Sequence, residues 1–215
     1  MDNLWYPYTR LNPDAMYRLL AINGCYRENS VIDQAVELAA HSARDAGATT
    51  ETTLLRELPV SDCLDCWHCI QAAEDMPADC VMKNHMHPLL DRIHAADGFI
   101  LASPANIYTA SSVFMHFMVK LMTYARCHRA AGEHTAAQRQ HTRPALLISS
   151  SATPGLMGRL YYSTQQQLRE TARTLGARPA GCVFVEMIAD REHTALPEKA
   201  GRQLRYLAGR LLRES

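Results

Sequence analysis

The sequence has no excess of either charge: 22 Lys and Arg stand against 22 Asp and Glu. A chain-wide basic footprint for nucleic acid is therefore excluded. No apolar run reaches the ~20 residues that a membrane span needs, and Met1 to Pro13 lacks the basic-then-apolar layout of a secretory leader. Neither nucleic acid nor a membrane is an expected partner. Internal repeats, low-complexity tracts and linkers are also missing, so one domain is the simplest organisation. No Ser-His-Asp set is visible, which removes the usual grounds for expecting nucleophilic hydrolysis.

What is present is ordinary globular material. Apolar residues make up 47% of 215 residues, and a domain of this length buries roughly 70% of its unfolded surface. Seven cysteines are an odd number for such a chain. A reduced, cytoplasmic protein is expected, in which a cysteine cluster serves metal or redox chemistry rather than disulfides.

The first dozen residues are aromatic and turn-rich, with Trp5, Tyr6, Pro7, Tyr8 and Pro13. They read as an arm, over residues 1–16, ahead of a domain over residues 17–215. Tyr17 to Ile22 reads as a buried strand, Asn23-Gly24 punctuates it, and Ser30 can cap a helix. Val31, Ala35, Leu38 and Ala39 fall on one face of that helix, which stops at Gly47. Further strands are predicted at Thr49–Leu55, Gly98–Ala102, Pro144–Ile148 and Gly181–Val185. Helices are predicted from about Ser111 to Tyr124, from Thr164 to Leu175 and from Leu196 to Leu212, and 126–143 reads as mostly loop. Strands alternating with helices imply a parallel sheet covered on both faces, and five strands fit the flavodoxin-like order 2-1-3-4-5.

Such sheets bind ligands outside the carboxyl ends of the strands, where the strand order reverses. Three segments should meet there: Asn23 to Ile32, Ser103 to Tyr108 and Ser149 to Gly155. The first leads into a helix N-terminus, whose free N–H groups and dipole favour an anion. Arg27 and the Ser30 hydroxyl can add to a phosphate site there. The plain alternative is that Ser30 only caps the helix and Arg27 is solvated.

Taken in order, these segments resemble the NADPH-dependent FMN reductase-like branch of the flavodoxin fold, and within it the iron–sulfur flavoproteins and their cluster-free relatives. The family's Gly-Ser-Pro-Arg-x-x-Ser/Gly-Asn-Thr loop is matched at Gly24, Arg27 and Ser30. Cys25 stands for the serine, Tyr26 for the proline, and Val31-Ile32 for Asn-Thr. Ala96-Asp97-Gly98-Phe99-Ile100-Leu101-Ala102-Ser103-Pro104 is similar to the family's third-strand segment, Met118-Val119-Lys120-Leu121 to its Met-Lys pattern, and Leu147 to Gly155 to its third flavin loop. The resemblance implies FMN as cofactor and NAD(P)H as co-substrate. Cys25, Arg27, Ser30 and Ile32 would form the phosphate loop. Ser103, Pro104, Ala105, Asn106 and Ile107 would border the flavin ring, and Ser150 and Ser151 would belong to the third loop. Tyr108 would lie near the ring, and Tyr161 and Tyr162 would overhang it. Electrons would pass to a quinone-like, nitro or azo acceptor or to a redox protein, with the protein supplying binding and orientation. The implied assembly is a homodimer or homotetramer, and the apolar helix at 113–122, which carries His116, suits a core or a dimer interface. The alternative is a binding or regulatory module on the same scaffold that has lost FMN and responds through its cysteines.

The sharpest chemical pattern is Cys63-x2-Cys66-x2-Cys69-x10-Cys80, four thiols within 18 residues. Thiolates favour an iron–sulfur cluster or zinc. The flavoproteins just named hold a [4Fe–4S] cluster on a compact run of this kind. Zinc could draw further ligands from His68, His85 and His87. In a third reading the thiols are free, within an insertion over about 60–86 where a short helix from Cys66 to Ala73 packs Trp67 and Ile70 inward.

Overall fold

The structure is a computed structural model that describes residues 16–58, 60, 62–66, 68, 86–130, 143–152, 163–186 and 195–213. The expectations placed on the arm at 1–15, on Trp67, Cys69, Ile70, Cys80 and His85, and on Tyr161 and Tyr162 lie outside the described residues.

The chain runs β1 (Arg18–Asn23), α1 (Val31–Asp45), β2 (Thr49–Leu54), a 3-10 turn (Leu55–Glu57), α2 (Met86–Ala95), β3 (Gly98–Asn106), β4 (Thr109–Ala110), α3 (Ser112–Ala130), β5 (Arg143–Ser150), α4 (Thr164–Thr174), β6 (Ala177–Val185) and α5 (Glu198–Leu211). The sheet order is β2-β1-β3-β5-β6, with β4 pairing β3 off this path. All neighbours on the path are parallel, and the β3–β4 pair is antiparallel. With the short β4 set aside, this is the expected order of five parallel strands.

Alternation along the strands builds two cores. Leu19, Ala21, Ile100, Ala102, Leu146 and Ile148 face α1 and α5. Leu20, Ile22, Phe99, Leu101, Ala145 and Leu147 face α2, α3 and α4. A sheet wetted on neither face needs strands with continuous apolar runs, and β1, β3 and β5 carry them at residues 19–22, 99–102 and 145–148. The face of α1 that meets the sheet is lined largely by alanines, Ala35, Ala39 and Ala43, all buried. Small side chains let the helix lie close to the strands. Gly47, at φ 99, turns the chain out of α1 toward β2.

Several boundaries differ from the sequence expectation. The third strand runs on to Asn106, because Ser103 and Pro104 pair with Ser149 and Ser150 of β5 and Ala105 and Asn106 pair with Ala110 and Thr109 of β4. Ser149 and Ser150 are accordingly strand residues rather than loop. The helix expected to stop at Tyr124 continues to Ala130, since no glycine or proline interrupts the chain before Gly132. The last strand starts at Ala177 despite Pro179 and Gly181. It lies at the sheet edge, where proline is tolerated, and a register shift at Ala145/Leu146 accommodates the irregularity.

Candidate flavin site at the carboxyl edge of the sheet

The strand order reverses between β1 and β3, so the crevice opens where these two strands end. Their ends are joined by hydrogen bonds. Gly24 N–H donates to Ala102 O at 2.8 Å, and the Ser111 hydroxyl donates to Gly24 O. Ser111 in turn heads α3. Its Oγ accepts from Phe114 N at 3.3 Å, and its own N–H donates to Ser103 Oγ at 3.0 Å. Gly24 has to be glycine here, because a Cβ would stand 2.7 Å from Phe114 Cβ.

The loop after β1 is shaped by side chains at its two ends. Asn23, buried at the tip of β1, accepts from Cys25 N–H through Oδ1 at 2.9 Å. Its Nδ2 donates to Asp33 Oδ1 at 2.5 Å. Ser30 caps α1: its Oγ accepts from Asp33 N–H at 3.1 Å, and Asp33 Oδ2 accepts from Ser30 N–H at 3.3 Å. This is a capping box, which answers two of the amides at the helix start. The amides of Val31 and Ile32, the next two, meet no acceptor among the described residues. They form the donor pair at the positive end of α1, the geometry that accepts a phosphate. Asn29 takes φ 55, a left-handed conformation that asparagine tolerates.

The loop after β3 is a hairpin. Asn106 pairs with Thr109, and the two residues between them, Ile107 and Tyr108, both have positive φ, 45 and 69. That is the backbone of a tight two-residue hairpin turn, which asparagine and glycine usually fill. The turn is clamped to α4: Tyr108 O accepts from Ser163 N at 2.8 Å and from Ser163 Oγ at 3.0 Å. Ala110 N–H donates to Gln167 Oε1 at 2.8 Å. Ile107 is 89% exposed and Tyr108 58% exposed at the rim of the crevice. The third loop begins at Ser151, whose N–H donates to Val185 O at 3.0 Å.

The sequence-predicted residues divide accordingly. Arg27 is an exposed loop residue, and Ser30 is buried with its oxygen engaged as the helix cap. Cys25 and Ile32, which stand where the family carries hydroxyls, are buried in the core that underlies α1. Ser103 is fully buried and bonded to Ser111, so it joins two loops rather than facing the crevice. Pro104 and Ala105 are half-buried and Asn106 is exposed along the strand end. Ser150 and Ser151 are buried at the adjoining end of β5. Cys63 and Cys66 are exposed free thiols, and the described residues contain no group able to hold a metal ion. His116 is half exposed rather than a core residue, and its Nε2 lies 3.1 Å from Asp62 Oδ1, beside Cys63. Asn23, Asp33, Arg56 and Ser163 were not foreseen. The run Ser30-Val31-Ile32-Asp33 carries the capping-box signature that would have found Asp33, whereas Arg56 has no local signal.

A parallel sheet that reverses order at β1, with two free first-turn amides and two strand ends converging beside them, defines a flavodoxin-like protein built to seat a phosphate-bearing cofactor. The α1 amides are donors of the kind that suits the phosphate of FMN. Comparison with family profiles matches residues 17–188 to NADPH-dependent FMN reductase. The chain belongs to the NADPH-dependent FMN reductase family and is an enzyme of that family.

Solved structures share the fold at low sequence identity. The NAD(P)H:quinone oxidoreductase of Methanothermobacter marburgensis is similar with a TM-score of 0.68 and 13% identity, over 92% of this chain and 96% of that one. The FMN-dependent NADH-azoreductase of Bacillus anthracis, solved in complex with FMN, gives 0.63 and 16% over 90% and 99%. RosB with a bound flavin-derived intermediate gives 0.66 and 16% over 92% and 79%. No curated protein matches the chain significantly. Among the described residues no helix is long and apolar enough to cross a membrane.

Proposed function

We propose that this chain binds FMN at the carboxyl edge of its sheet and transfers electrons from NAD(P)H to a quinone-like, nitro, azo or protein acceptor. The observation that carries the proposal is the pair of unanswered Val31 and Ile32 amides at the head of α1, beside the strand-order reversal, in a chain of the FMN reductase family. FMN supplies two-electron and one-electron chemistry when bound. The protein's own part is to hold it. The α1 amides take the phosphate, with Arg27 on the exposed part of the loop and Ser30 holding the helix start as its cap. Pro104, Ala105, Asn106 and Ile107 lie along the ring edge, and the backbone from Ser150 to Ser151 closes the third side. A homodimer or homotetramer in the cytoplasm is the working form we propose, and the exposed Ile107 and Tyr108 suit burial by a neighbouring subunit or by an aromatic acceptor.

The test is a visible spectrum of protein purified without oxygen, before and after addition of FMN, followed by stopped-flow reduction with NADPH and NADH. Flavin bands that stay with the protein and bleach with a reduced nicotinamide are the expected result. Iron and zinc assayed on the same sample test the cysteine set. About four irons per chain would make Cys63, Cys66, Cys69 and Cys80 cluster ligands. A second reading is favoured by one fact: Cys25 and Ile32 point into the core and offer no hydroxyl. On that reading the scaffold no longer holds FMN, and protein that stays colourless with excess FMN would establish it.

A further inference from the structure

The first turn of α1 carries a carboxylate close to where a phosphate would sit. Asp33 stands three residues beyond the cap. Its oxygens are not free to turn away: Oδ2 accepts from Ser30 N–H at 3.3 Å, and Oδ1 accepts from Asn23 Nδ2 at 2.5 Å. Left alone, that fixed negative charge would oppose the helix dipole's attraction for an anion.

Arg56 answers it. The residue lies on the 3-10 turn that follows β2, outside the β1 loop. Its Nη1 reaches Asp33 Oδ1 at 3.0 Å and Cys25 O at 3.2 Å. The two side chains are only 14% and 17% exposed, so the pair is weakly screened by solvent. Arg56 Nε is buried with no hydrogen-bond partner among the described residues. The guanidinium is therefore held by the Asp33 charge and the Cys25 carbonyl rather than by full satisfaction of its own donors.

We infer that Arg56 is a positioning residue for the phosphate of the cofactor: anchored at the Cys25 carbonyl, it neutralises Asp33, so that the α1 amides remain an anion site. This rests on the proposed FMN binding and adds to it the residue that makes a loop poor in hydroxyls competent for phosphate. The consequence is specific to the phosphate. A ligand with the same ring and no phosphate should be indifferent to the Arg56 charge.

The experiment titrates the full-length chain with FMN and with riboflavin by quenching of flavin fluorescence. The variants are Arg56→Met, Asp33→Asn and Arg56→Met/Asp33→Asn, each checked by thermal unfolding. In Arg56→Met, FMN dissociation should rise at least about tenfold while riboflavin dissociation stays within about threefold. Asp33→Asn should leave FMN binding equal or tighter, because it removes the repulsion and frees the guanidinium. The double variant should bring FMN affinity back to within about threefold of the unaltered protein. Equal weakening for both ligands would overturn the inference and assign Arg56 to folding of the loop. Loss of FMN affinity that Asp33→Asn does not restore would overturn the route through Asp33. If Arg56→Met fails to fold, Asp33→Asn alone decides, and weaker FMN binding there overturns the inference. An unaltered protein that binds neither flavin would refute the proposed function itself, a result distinct from any of these.

Discussion

At the scale of single residues, the loop between β1 and α1 shows how a side chain can occupy a candidate site position without offering polar chemistry. Ile32 is the second residue of α1 and is 1% exposed. Its side chain belongs with Val31, Ala35 and Val36 to the core beneath α1, and its backbone N–H lies in the first turn of the helix. On the proposed function the position is divided: the amide would serve the anion, while the side chain serves the core. Substituting Ile32→Thr, which restores a hydroxyl common in the family, should therefore act on the core. We expect a loss of about 2 kcal/mol in urea unfolding, from lost apolar burial and a poorly paired hydroxyl. FMN dissociation should change by less than about threefold, because the amide is untouched. A large gain in FMN affinity would mean that hydroxyls, not amides, limit the site.

At the scale of elements, the β3–β4 hairpin sets backbone strain against position. Ile107 is β-branched, 89% exposed and held at φ 45. Left-handed backbone costs such a residue roughly 1–2 kcal/mol. An isoleucine this exposed buries too little surface to offset the strain, and Ser163 clamps the turn from the head of α4 through Tyr108 O. Ile107→Asn should consequently raise stability by about 1 kcal/mol, a shift of roughly 2–4 °C in a thermal melt of a chain this size. If the isoleucine serves the flavin ring, the same change should weaken FMN and riboflavin binding alike, unlike the phosphate-specific loss expected at Arg56. The hairpin also shows where the sequence stopped being legible. Periodicity and β-branched content located every parallel strand, but Ser103-Pro104 looks like a strand exit and is strand. Only the pairing with Ser149 and Ser150, a contact more than 40 residues away in the chain, decides that. The same holds for Arg56, whose role depends on Asp33 and Cys25 across 23 and 31 residues. Local signals found the loop, its cap and the anion-favouring helix start, whereas long-range polar partners have no signature in one sequence.

At the scale of the whole molecule, the roots of the candidate site are built into the fold. Gly24 N–H is tied to Ala102 O, and Ser111 N–H to Ser103 Oγ, so the ends of β1 and β3 are fixed by bonds that the ligand does not make. Val31 and Ile32 N–H carry no such bond among the described residues. Hydrogen exchange can read this division directly. Without ligand, the amides of Gly24 and Ser111 should exchange only through rare, large openings, while those of Val31 and Ile32 exchange through local ones. Saturating FMN should slow exchange at Val31 and Ile32 strongly. At 100 times its dissociation constant it also adds about 2.7 kcal/mol to global stability. Riboflavin should stabilise the fold through the ring yet leave the Val31 and Ile32 amides fast, because it brings no phosphate to α1. Protection of those two amides by riboflavin as fully as by FMN would place the phosphate elsewhere and detach the helix N-terminus from the site.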